Sequence, residues 1–190
     1  ELVPLSLTTR SGESLEVAVM RNADRPEEPF ELFEDSEEIP PGEYWTTRWL
    51  VEAGTFSGRR FSVDGAITGG EFYTGTRGSV SVSGDWKVSK HLSLSADYEH
   101  NRVALAGDEF LIDELGARAD FAFSPTLFGA LAGQWNNEDE EVILNFRLNW
   151  IPRPGSDLFI VVNQQAETWE SRWNPTRTTL LTKVVWRVAF

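Results

Sequence analysis

Residues 178–190 read TTLLTKVVWRVAF, and their alternation decides how the rest of the chain is read. Leu180, Thr182, Val184, Trp186, Val188 and Phe190 share one parity, while Leu181, Lys183, Val185, Arg187 and Ala189 share the other. Successive side chains of a strand point to opposite faces, so this segment presents a tryptophan-bearing apolar face and a face carrying cations. Period-two runs of this kind recur upstream, bounded by Gly, Pro, Asn and Ser, without an intervening helical period. They predict about eleven strands: residues 2–9, 13–21, 43–54, 59–68, 78–89, 92–101, 111–123, 127–135, 141–151, 157–165 and 178–190.

The same two faces recur from strand to strand. One carries Trp45, Thr47, Trp49 and Val51, then Phe61, Val63 and Ile67, then Val80, Val82, Trp86 and Val88. It continues through Leu92, Leu94, Ala96 and Tyr98, then Leu115, Ala117, Phe121 and Phe123, and finally Leu144, Phe146, Leu148 and Trp150. The opposite parity holds Arg48, Asp64, Asp97, Arg118, Asp120, Arg147, Lys183 and Arg187, together with Glu52, Asp85, Lys87, Glu99 and Glu114. Several runs approach the roughly 9 to 11 residues that cross a bilayer as a tilted strand. The expected architecture is all-β, an antiparallel up-and-down transmembrane β-barrel of the bacterial outer membrane, with the apolar face toward lipid and those charged residues lining the lumen.

Connections support this expectation. Short ones at 11–12, 55–58, 90–91, 124–126 and 152–156 alternate with longer, mostly polar ones at 22–42, 69–77, 102–110, 136–140 and 166–177, as periplasmic turns alternate with outer loops. If the last strand runs toward the periplasm, eleven strands make the first run the same way. Antiparallel closure needs an even number, so the segment is expected to be the carboxy-terminal part of a larger barrel, completed by strands from upstream sequence or another chain.

Composition narrows the function. The 190 residues carry a formal charge of -13, which argues against a nucleic-acid surface. The absence of cysteine leaves no disulfide framework and no thiolate metal site. ELVPLSLTTR at the start has neither the basic opening nor the apolar run of a signal peptide, so a leader is expected to have been removed or the segment to be a fragment.

From Pro29 onward, four segments carry a resemblance: PFELFEDSEEIPPGEY (Pro29–Tyr44), GGEFYTG (Gly69–Gly75), FSPTLF (Phe123–Phe128) and NFRLNWIPRPGSDLFIVVNQ (Asn145–Gln164). They resemble a family of bacterial proteins of unassigned activity that join an amino-terminal domain, similar to the family 9 carbohydrate-binding module, to an outer-membrane barrel. The resemblance implies the barrel part alone, so any carbohydrate-linked activity would reside in the other domain. The PRPGSD run is expected to end one strand and reverse the chain into DLFIVVNQ.

Candidate chemistry is sparse. His100 has Asp97 and Glu99 near it in sequence, but on the other parity, and His91 falls at a turn. The acidic runs at 34–38 and 136–141 lack the spacing of a calcium loop and read as solvated rims, open to divalent bridging with lipopolysaccharide. Gly69, Gly70 and Gly75 precede no helix and form no phosphate cradle. Trp169 and Trp173 read as belt or loop-packing residues that offer a stacking face to a sugar ring.

The expected function is therefore non-enzymatic, a membrane anchor or a translocation pathway for a solute or polymer, with no cofactor, no metal and no catalytic residue. Expected partners are outer-membrane lipid and lipopolysaccharide, the barrel insertion machinery through Phe190, and further strands. The rival readings are a hydrolase at the barrel rim built on His100 and a soluble all-β carbohydrate-binding module.

Overall fold

The computed structural model describes residues 2–32, 36, 38–105, 107–168 and 173–187. Its strands are β1 (Leu2–Thr8), β2 (Ser14–Asp24), β3 (Tyr44–Gly54), β4 (Phe61–Phe72), β5 (Gly75–Ser89) and β6 (Leu92–Leu105). They continue as β7 (Asp108–Ser124), β8 (Leu127–Asn136), β9 (Glu141–Arg153), β10 (Ser156–Glu167) and β11 (Asn174–Val185). These eleven strands form one antiparallel up-and-down sheet in sequence order, with β1 and β11 as its edges. The chain groups into two compact units, one of Glu1–Gly58, Ser62–Val82 and Glu99–Asp113, the other of Arg59–Phe61, Ser83–Tyr98 and Glu114–Phe190.

In the first unit the register stacks Val19 opposite Trp49 and Trp49 opposite Gly69, with Val17, Val51 and Ile67 forming the next row. Gly69 is required there: a Cβ would stand 2.7 Å from the Trp49 indole. The opposite parity aligns Met20 with Arg48 and Gly54 with Asp64. In the second unit one row runs Leu131, Phe146, Val162, Leu180, and the row two further on joins Leu127, Trp150, Leu158 and Val184. Its reverse face aligns Asp120, Ala130, Arg147, Val161 and Leu181.

Each unit leaves its apolar face open. Trp49 and Trp150 are both 45% exposed, and Trp45, Phe61, Val80, Trp86, Leu115 and Leu180 are exposed as well. Most buried strand positions lie instead on the charged parity, at Ala18, Ser62, Ser79, Asn101, Val103 and Leu105 in the first unit and Ala130 and Val161 in the second. Ala166, at the bulge opposite Pro175, departs from that pattern. A soluble sheet shades its apolar face and wets its charged one, so the arrangement is inverted.

Several strands run farther than their apolar alternation. The loops expected at 69–77 and 102–110 are instead strand ends around tight turns, with Tyr73 in the left-handed region and Gly75 pressed against the Ala104 carbonyl. Here the ladder continues while both faces are polar, and the period-two contrast that marks a half-buried strand vanishes. The His100–Asp113 and Arg102–Glu109 pairs, on the parity that lower down carries Tyr98 and Leu115, mark where the contrast ends. The segment between β2 and β3 is tied down: Phe30 and Ile39 exchange backbone hydrogen bonds, and Tyr73 meets Phe30 edge-on at 5.5 Å.

The proline-rich reversal differs by two residues from the expectation. β9 runs through Pro152 to Arg153, and the tight turn is Pro154 and Gly155. The register shifts between Ser156 and Leu158 beside Pro152, between Leu2 and Leu5 around Pro4, and between Gln165 and Ala166 beside Pro175. Proline has no amide hydrogen for the ladder, and an irregularity is where a strand tolerates it.

Candidate functional site: the charged face of the sheet

The strand pleat sets Arg48 and Asp64 on the charged parity of the first unit. Arg48 donates from Nη2 to the Thr68 hydroxyl at 3.1 Å, while its buried Nε has no hydrogen-bond partner. Arg77 repels it electrostatically. Asp64 packs its carboxylate over Gly54, in the space a side chain there would fill.

Sequence patterning missed the most elaborate part of this face. Arg77 was expected in a loop, yet it lies in β5 and donates from Nε and Nη2 to the Asn101 side-chain oxygen at 3.1 and 2.6 Å. The Ser79 hydroxyl donates to the same oxygen at 2.6 Å. Asn101 and Ser79 are both buried, and Glu99 approaches Arg77 at 3.7 Å. The signal was present in Arg77, Ser79 and Ser81 alternating against Val80 and Val82.

In the second unit Asp97 lies against Gly116, and with Glu114, Gln134, Asn136 and Glu141 it lines a recess of about 160 Å³. Arg118 and Asp120 bind each other. Arg147 donates from Nε to the Asn145 oxygen at 2.9 Å, and Asn145 reaches Asn163 across the strand pair. Lys183 stands opposite Phe159. Arg187 lies beyond β11, where its amide donates to Ser156 Oγ and its carbonyl accepts from Arg153. Of the eight residues expected to line a lumen, Arg118 and Asp120 are the one ion pair among the described residues.

His100 meets neither Asp97 nor Glu99. Its Nδ1 lies 2.8 Å from Asp113 Oδ1, and no hydroxyl hydrogen-bonds to it among the described residues. The His91 ring pairs with the Ala122 carbonyl at 2.6 Å. Within the turn before β9, Glu138 is held above the ordinary carboxyl range by burial, then by the charges of Asp139 and Glu114. Among the described residues no His, Asp and Glu cluster has the makings of a metal centre. Phe190, Trp169 and most of the acidic run at 34–38 lie outside the described residues.

No family model matches the sequence, and no curated protein or solved structure matches it either.

Proposed function

We propose that this chain is part of a bacterial outer-membrane β-barrel, with its apolar face in lipid and its charged face toward a water-filled interior, serving as an anchor or a translocation pathway. The observation that carries this reading is the inversion of burial, with open tryptophans on one parity and shaded Ser62, Ser79 and Asn101 on the other. In water such an array of exposed apolar side chains is an association hazard; in a bilayer it is the contact surface. From Leu115 to Phe123 the apolar parity of β7 covers about 26 Å of strand at roughly 3.3 Å per residue, on the scale of an apolar membrane band.

An eleven-strand antiparallel meander leaves β1 and β11 pointing the same way, and each has one strand partner. An open edge in hydrocarbon costs several kcal/mol for each unsatisfied backbone group, so the reading includes further strands that cover both edges. The resemblance to barrels linked to a sugar-binding-like domain would make any carbohydrate link a matter for that other domain, with this segment serving as its anchor or pathway. The soluble-module rival would need a second layer over the tryptophan faces, and Trp45, Trp49, Trp86 and Trp150 are all exposed.

The test is labelling of single cysteines placed at positions 144 to 150 in a chain that has none of its own. Alternating lipid and water exposure, with 144, 146, 148 and 150 in lipid, is expected. Uniform water exposure would end the membrane reading.

A further inference from the structure

We propose that Arg48 and Arg77 form a binding site for an oxyanion, a carboxylate, sulfate or phosphate group carried by a water-borne solute. The proposal rests on the reading that the charged face is wetted, and it adds the class of solute that face would select.

The geometry has three parts. First, Arg48 retains an unused donor: Nε is buried and unpartnered, and no carboxylate lies within ion-pair distance of its guanidinium among the described residues. A buried donor without an acceptor is destabilising, and a turn of the guanidinium toward an incoming oxygen would relieve it. Second, Arg77 is fixed by neutral oxygen. Asn101, 3% exposed, receives two of its N–H groups and the Ser79 hydroxyl, and the guanidinium lies 5.7 Å from the Phe72 ring centre. An amide in that bracket positions the cation without cancelling it, and Glu99 at 3.7 Å, itself half exposed, is a partial counterion. Third, Arg48 stands opposite Gly70 of β4, and the tight turn at 73–74 brings Arg77 of the adjacent β5 to the other flank of that strand, so an anion between them would meet both cations and reverse their repulsion. Guanidinium groups suit this task because their planar donors match the oxygens of carboxylate and phosphate in pairs.

A site made to hold the sheet together would place a carboxylate of a neighbouring strand beside Arg48, as Glu109 of β7 stands beside Arg102 of β6. Here the position is filled by the Thr68 hydroxyl, a weaker neutral acceptor.

The experiment follows the arginine side-chain Nε–H resonances of the full chain in neutral detergent during titration with inorganic phosphate at constant ionic strength. Saturable shifts of both Arg48 and Arg77 are expected. Arg48→Gln, which also removes the repulsion and so should fold at least as well, should weaken binding about tenfold or more. Asn101→Asp supplies a built-in carboxylate to Arg77 and should weaken it similarly. Absence of saturation, or equal affinity in both variants, would overturn the site. If lipopolysaccharide phosphate shifts these resonances and inorganic phosphate does not, the ligand is lipid and the proposal is again overturned. Modification of Ala66→Cys, on the same parity of β4, by a charged thiol reagent separates the two levels of inference. An unreactive thiol at that position would sink the wetted face and the site with it, whereas a reactive one without phosphate binding would sink the site alone.

Discussion

Arg118 and Asp120, two residues apart on the charged parity of β7, bind each other through two nitrogens and two oxygens, at 2.8 and 2.7 Å. The pair is closed within one strand. Both side chains are about half exposed, at 51% and 50%, so the attraction acts through a high effective dielectric. Asp120→Asn should therefore leave the urea-unfolding midpoint nearly unchanged, as solvent screening of an exposed pair dictates. A large fall in the midpoint would mean that this face is dry.

Phe146 lies between Leu131 and Val162 in the apolar row of the second unit. Phe146→Arg should cost about 2 to 4 kcal/mol near mid-bilayer. Gln134→Lys, on the other parity beside Asp97, Glu114 and Glu141, should be neutral or stabilising. Equal penalties for the two, measured by unfolding from lipid vesicles, would contradict the assignment of faces.

Tyr73 donates its hydroxyl to Asp24 at 2.6 Å, and its pKa is pushed up to about 12 by that bond first, then by burial and the carboxylate charge. The fold therefore favours the neutral phenol. Its contribution to stability is complete below about pH 10, the ordinary tyrosine value, and is lost as pH rises toward 12. Asp24→Asn should bring one of the tyrosinate absorbance midpoints down toward the ordinary value. An unchanged titration would show that Asp24 does not control it.

Glu138 has the opposite consequence for a carboxylate. Its raised pKa means that the folded chain binds this proton more tightly than the unfolded one, so stability falls as pH rises through the carboxyl range. Glu138→Gln should stabilise the protein at neutral pH and have little effect in acid. A destabilised variant at neutral pH would indicate that the charged form is held by a favourable contact.

The number and order of the strands were legible because β3, β7 and β9 each have one parity shaded by the sheet and one left open, which keeps the apolar and polar residues apart. Legibility ended where both faces turn polar. Arg77 and Asn101 belong to that upper part of the ladder, and so the arrangement around Arg48 was invisible although the strand parity of Arg48 could be read from its own neighbours. Pro152 misled for another reason: its missing amide excludes it from a regular ladder but not from a bulge. The His100–Asp113 pair joins two strands whose register no short-range pattern encodes.

Every strand in this sheet is bonded to the strands adjacent to it in sequence. Such an order makes the hairpin the unit of evolutionary growth. Gaining or losing two strands would preserve the direction of all the others and keep each loop at its own end of the sheet. A single added strand would reverse everything downstream. Hairpin duplication would thus widen the sheet while the clamp on Arg77 travelled intact, since Ser79 and Asn101 belong to β5 and the strand that follows it.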